Sequence, residues 1–382
     1  MHLFDLSPRL LARQGGFLLG THQADADEAQ LREWLATQGL LEGMVTHQVG
    51  KPSGTRIICQ LDPCYRIQQL PLHDTLSLHQ RWHRQHGQEL CLEQEILLAL
   101  LAAPRVLEFS DLADLQSHVR VRTHIAQAAT QTALAFKTQA AERPEAFWHY
   151  DEDHGFLLQS GCDLIEGIVA ATQPEATGKL YDFSCYRATE YVILLGIALE
   201  SRQHHPALYE KLQHTCQRHA IRSGQFHDVY LTEYGTLQDP VPAHYCVPGD
   251  RLWFRNPDAH SSDIEGYEGS WVIYMGRGLF SNFWERERPF TLESKCLEIF
   301  HWRDGAHTDA NGQLAMDETR VAHAVQGTRQ DPQALQATLQ RMMRLRDPQG
   351  IYAEGGCIDA TREFPRSVSR HGGQLVLPSF SH

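Results

Sequence analysis

Between Tyr181 and Leu199 the chain reads Tyr-Asp-Phe-Ser-Cys-Tyr-Arg-Ala-Thr-Glu-Tyr-Val-Ile-Leu-Leu-Gly-Ile-Ala-Leu. Positions 188, 191, 192, 195, 198 and 199 are apolar and recur every three or four residues, which is one face of a helix. Ser184 is a natural N-cap, so the helix starts there and Cys185 falls in its first turn. A helix this apolar is buried, and the chain must supply a second layer to cover it.

That layer follows in the sequence. Pro248-Gly249-Asp250 signals a turn, Arg251 to Arg255 a short aromatic strand, and Asn256-Pro257-Asp258 a second turn. Glu268 to Gly276 reads as a buried strand, Gly276-Arg277-Gly278 as a hairpin turn and Leu279 to Trp284 as the returning strand. A cysteine-bearing helix followed by an antiparallel sheet predicts an α+β protein with a papain-like core, the helix packed on the sheet. At a helix start the free N–H groups and the positive end of the dipole favour thiolate over thiol. Cys185 is therefore the candidate nucleophile, and a lowered pKa is expected for it. The plainer reading is a buried small residue, the usual place of a free cysteine.

Upstream, Gly15 to Gly20 reads as a strand between glycines, Glu28 to Leu41 as a helix, and Arg56 to Leu61 as another strand. Glu89 to Leu101 has a continuous apolar helical face, broken at Ala103-Pro104. Ser110 is the candidate N-cap of a long helix running to about Ala140, with Leu115, Val119, Ala126, Ala129, Ala133 and Phe136 as its core stripe. Beyond residue 305 the chain is polar, apart from a short amphipathic helix at Leu335, Leu339 and Met342, and it ends in Gly-rich, loose segments. The expected division is an N-terminal α/β extension of unknown role over 1–85, a catalytic domain over 86–306, and a partly helical, loose extension over 307–382.

The 47 acidic residues outnumber 34 Lys and Arg, for a net charge of −13, which argues against a nucleic-acid partner. The chain has no apolar run of about 18 residues, so no membrane-spanning helix is expected. The N-terminal residues lack a basic segment followed by an apolar run, so the expectation is a cytoplasmic protein, or one exported by a route that needs no signal peptide. The nine cysteines lie far apart without a C-x-x-C pair, and the 23 histidines form no H-E-x-x-H, so neither a cofactor nor a metal site is expected.

Three blocks carry a resemblance. The first is Phe109 to Ala140, followed by Pro144-Glu145-Ala146-Phe147-Trp148 and Gly155-Phe156-Leu157-Leu158. The second is Phe183-Ser184-Cys185-Tyr186-Arg187-Ala188-Thr189 with its apolar helix. The third is Gly249-Asp250-x-x-x-Phe254-x-Asn256-Pro257-Asp258, then Gly269-x-x-Val272-Ile273-x-x-Gly276. Together, over about half of the chain, they resemble the bacterial spore-coat type of protein-glutamine gamma-glutamyltransferase (transglutaminase). The resemblance supports Cys185 as nucleophile, the residue that helix position also selects.

The sequence departs from that family at the partners of the cysteine. Where the family has a glutamate after the glycine of the third block, this chain has Ser270. Glu268, two residues earlier on the same strand face, is the candidate to handle the proton. The family's histidine on the next strand is missing, and Asn282 is the nearest polar side chain there. Ser184 replaces the family's acidic residue before the cysteine, and His260, His301 and His307 are the histidines that a fold could bring back. Asn282 and Ser270 are expected to give hydrogen-bonding support, since neither side chain is a base.

The resemblance implies acyl transfer without calcium. The Cys185 thiolate attacks a glutamine carboxamide, ammonia leaves, and a lysine amine captures the thioester as an isopeptide cross-link, so the implied partners are proteins bearing Gln and Lys. Two alternatives stand beside it. One is a related cysteine hydrolase or deamidase acting as an effector or toxin; the other is an inactive family member used for binding. The sequence leaves the oligomeric state open.

Overall fold

The computed structural model describes residues 15–41, 43–51, 54–65, 73–136, 141–220, 223–347, 355–373 and 375–377. Four strands, β1 (Phe17–Gly20), β2 (Met44–Lys51), β3 (Gly54–Leu61) and β4 (Leu107–Phe109), form an N-terminal sheet in the order β2-β3-β1-β4. Helices α1 (Ala24–Thr37), α2 (Leu78–His86) and α3 (Leu92–Leu101) accompany it. Its core runs without a break from Phe17, Leu31 and Ile57 through Leu98 and Leu115 to Val241 and Tyr245. The N-terminal strands thus share one hydrophobic interior with residues far downstream.

The long helix α4 (Leu112–Gln131) begins one residue later than its first serine suggests. Asp111 is the cap, accepting the Asp114 N–H at 2.8 Å, while Ser110 donates to the Asp114 carboxylate. The helix ends near 131 and not 140. Thr132 turns extended and its hydroxyl donates to the Ala128 carbonyl. Strand β5 (Ala135–Phe136) then pairs in parallel with Asp182–Phe183. Phe136, expected on the buried stripe, is consequently 38% exposed.

A short hairpin, β6 (Trp148–Asp151) and β7 (Gly155–Leu158), leads to α5 (Leu164–Thr172), then β8 (Asp182–Phe183), α6 (Cys185–His204), α7 (Pro206–Arg218) and α8 (Ser223–Tyr230). The main sheet follows: β9 (Leu231–Tyr234), β10 (Arg251–Arg255), β11 (Gly269–Gly276) and β12 (Leu279–Phe280), with the one-turn helix α9 (Ala259–Ser262) between β10 and β11. Helices α10 (Leu292–Gly305), α11 (Glu318–Gln330) and α12 (Pro332–Met342) come next, with the small hairpin β13 (Ala306–Thr308) and β14 (Leu314–Met316) after α10. The last strand, β15 (Arg362–Pro365), lies inside the main sheet, whose order is β12-β11-β10-β15-β9. Every pairing in it is antiparallel. A segment read as loose in the sequence therefore supplies a strand between β10 and β9.

The two faces of this sheet follow from the period of two. Ile273 and Met275 pack with Ala188, Tyr191, Val192 and Leu195 of α6. Leu252, Phe254, Val272 and Tyr274 pack on the other face with Leu292, Cys296 and Ile299 of α10. The apolar α6 predicted from sequence is covered by the predicted sheet, with a second helix layer behind it. Among the described residues no helix is long and apolar enough to cross a membrane.

Candidate active site

Ser184 has extended backbone (φ −85°, ψ 157°), and its hydroxyl accepts the Arg187 N–H at 3.3 Å, so α6 starts where the sequence placed it. Cys185 is the first residue of the helix and is partly accessible. Beside the helix start opens a cleft of about 430 Å³ lined by Arg143, Phe156, Phe183, Ser184, Arg187 and Tyr191, among others. Glu190, fully buried one turn further on, is paired with Arg187 at 2.7 Å.

The sulfur of Cys185 meets the edge of β11. Tyr274 exchanges backbone hydrogen bonds with Gly249 and Asp250, so the even residues of β11 point to β10. Ile273 instead bonds Ser281, on the β12 side. Trp271 has the same parity as Ile273, and β12 pairs only with Tyr274 and Gly276. The Trp271 N–H therefore points off a free edge, and it donates to the Cys185 sulfur, as does the Tyr186 N–H.

Sequence reasoning expected a lowered thiol pKa, and the structure reverses the sign. Burial pushes the Cys185 thiol up, and this outweighs the Trp271 N–H, the Lys295 cation and the Tyr186 N–H, which pull it down. Glu268 adds a smaller upward push. Desolvation of a thiolate in a packed setting exceeds what two N–H donors and one cation return.

The partners that sequence reasoning put forward for Cys185 lie in different settings. Glu268 is exposed just before β11 and close enough for its charge to act on the Cys185 sulfur. Ser270 is buried on the sheet face of Val272 and Tyr274, opposite to the Trp271 side chain. Asn282 is committed to its own loop: its Nδ2 donates to the Arg288 carbonyl at 2.9 Å and its Oδ1 accepts the Glu285 N–H at 3.2 Å. His301 engages Asp304 and Thr328 with its two ring nitrogens, and His307 Nδ1 meets the Gly305 carbonyl. Among the described residues, no group of three or more His, Cys, Asp or Glu is arranged to hold a metal.

The structure adds residues that sequence reasoning missed. Arg251, fully buried, lies 4.8 Å from the Tyr186 ring centre and 4.7 Å from that of Trp271. The two rings meet edge to face at 5.1 Å. These are the residues whose backbones bond the sulfur, so one guanidinium clamps both sides of the thiol cradle. Glu363 of β15 accepts from Arg251 Nε and holds His227 at 3.1 Å on its other oxygen. Arg251 stands inside the third sequence block and was open to discovery there; Glu363, in a segment with no strand signal, was not.

The sulfur of Cys185, at the head of a buried helix, thus lies against the edge of an antiparallel sheet. The family model of protein-glutamine gamma-glutamyltransferase matches residues 73–355, and the chain belongs to that family. A solved transglutaminase from Geobacillus stearothermophilus, without its C-terminal extension, aligns at a TM-score of 0.38 and 19% identity, over 56% of this chain and 97% of that one. No curated protein matches the sequence.

Proposed function

We propose that the chain moves the γ-glutamyl group of a protein-bound glutamine onto an amine through a thioester on Cys185, within a papain-like core. The observation that carries this reading is the position of the Cys185 sulfur, held by the Trp271 and Tyr186 N–H groups at the head of α6. In the first step the Cys185 thiol gives up its proton and attacks the carboxamide carbon. Ammonia leaves with that proton, and the thioester remains. A lysine amine then attacks the thioester, loses a proton and restores the thiol, leaving an isopeptide bond.

A raised thiol pKa requires that a base take the proton as the sulfur attacks. Glu268, exposed near the sulfur, is our assignment for that base, and Lys295 holds the thiolate by charge. Ser270 and Asn282 belong in supporting roles, Ser270 through the sheet and Asn282 through the loop after β12. We keep 86–306 as the catalytic part, with 1–85 sharing a core with it and 307–382 adding strand β15 to its main sheet. Its substrates are proteins bearing Gln and Lys, and calcium has no role in the reaction.

The test is incorporation of a small labelled amine into a glutamine-containing protein in the presence of a calcium chelator. Labelling that disappears in Cys185→Ala, with an unchanged circular dichroism spectrum, supports the reading. Glutamate formed without amine uptake moves the chain to the deamidase reading. Neither product from a broad substrate panel moves it to the binding reading.

A further inference from the structure

Two thiols far from the nucleophile touch in the interior. The sulfurs of Cys296 on α10 and Cys357, just before β15, lie 3.3 Å apart across 61 residues of chain, and both residues are buried. The backbone of Cys357 is fixed on two sides. Its N–H donates to the Met342 carbonyl at 3.1 Å, and its carbonyl accepts the Arg255 N–H at 2.7 Å. A disulfide needs a sulfur separation of about 2.05 Å, so the two sulfurs have a little over ~1 Å to close.

We propose that Cys296 and Cys357 form a disulfide when the chain folds in the presence of a small-molecule disulfide oxidant such as oxidised glutathione. One cysteine, as thiolate, attacks the glutathione disulfide and releases one glutathione thiolate. The second then attacks the mixed disulfide and releases the other. The protein loses two protons and two electrons, and one oxidised glutathione gains them to become two reduced ones.

The position gives this bond a consequence. Cys296 adjoins Lys295, whose cation acts on the Cys185 sulfur, and Cys357 stands six residues before Glu363, the partner of Arg251. A bond between them fastens the segment that leads into β15 to α10, the helix on the sheet face away from α6. The inference does not rest on the transglutaminase reading. The hydrogen bond between the sulfurs and burial both push the Cys296 thiol up, so the folded, reduced pair reacts slowly and oxidation belongs to the folding step.

The experiment refolds the full chain from denaturant in a glutathione redox buffer and, separately, in dithiothreitol, followed by non-reducing peptide mapping. We expect a cross-linked peptide joining Cys296 to Cys357 in the first sample alone. The melting temperature should be higher by about 5 °C, and a reductant should abolish the difference. Cys357→Ala should lose both the peptide and the shift; the wild-type comparison stands by itself should that variant fail to fold. If the natively refolded, oxidised protein carries both thiols free, or if the cross-linked species lacks the native circular dichroism spectrum, the proposal is overturned.

Discussion

The backbone N–H of Trp271 leaves the free edge of β11 and ends on the sulfur of Cys185. The sheet thus completes one of its own unpaired donors with the thiol and needs no further strand there. This donor favours the thiolate, but burial favours the thiol more strongly.

Alkylation should follow from that balance. With iodoacetamide at neutral pH the exposed Cys64 and Cys91 should label before Cys185. The Cys185 rate should keep climbing about tenfold per pH unit through pH 9, because only the thiolate reacts. Time-resolved mass-spectrometric mapping reads both orders. A Cys185 rate that levels off below pH 8 would contradict the raised pKa.

Glu268→Gln separates proton handling from simple charge. Removing a negative charge that pushes the Cys185 pKa up should speed its alkylation at fixed pH. Amine transfer should nevertheless fall about a hundredfold, the scale of losing a general base. Because Glu268 is exposed, the melting temperature should stay put. If transfer rises together with alkylation, the base is another group.

What the sequence disclosed and what it hid have separate causes. The start of α6, β11 and the tight turn at Arg277 (φ 58°) were legible because capping, alternation and Gly-Arg-Gly are local signals. The sign of the Cys185 shift was hidden because it depends on packing around the sulfur, to which helix position is blind. β15 was hidden because Arg362-Glu363 looks like surface, yet both residues are buried with partners from distant segments. Glu95 misleads in the same way. Inside the apolar α3 it is buried, accepting from the Tyr274 hydroxyl and the Arg277 N–H to pin the β11–β12 turn.

Arg251→Met should be among the most destabilising single changes near the site. It strands the Glu363 carboxylate, 6% exposed, beside His227. Breaking a buried pair from one side costs about 3–5 kcal/mol. Arg251→Lys should recover little, because an ammonium cannot reproduce a planar group packed beside both the Tyr186 and Trp271 rings. Urea unfolding of the variants measures this, and full recovery by lysine would show that charge alone matters.

Acid should weaken the fold through His118. Arg122 Nε donates to His118 Nε2 at 2.6 Å, so the ring must be neutral to accept, and Arg122 in turn reaches Asp250 at 2.7 Å. Burial, then the charge of Arg122, holds the His118 pKa well below the ordinary 6.5. The unfolded chain therefore binds a proton near pH 6.5 that the folded chain refuses. The stabilisation is complete above that pH and is lost as the pH falls toward the folded value, by about 1 kcal/mol per unit. His124 shifts in the same direction, chiefly by burial. Glu95, raised by burial, acts in the opposite sense, over a window that starts at its ordinary value of 4.5 and runs upward. Chemical unfolding between pH 7 and 5 should therefore show a falling midpoint. His118→Gln, whose amide oxygen can still accept from Arg122 without titrating, should flatten the slope. An unchanged slope in that variant would move the acid sensitivity to another group.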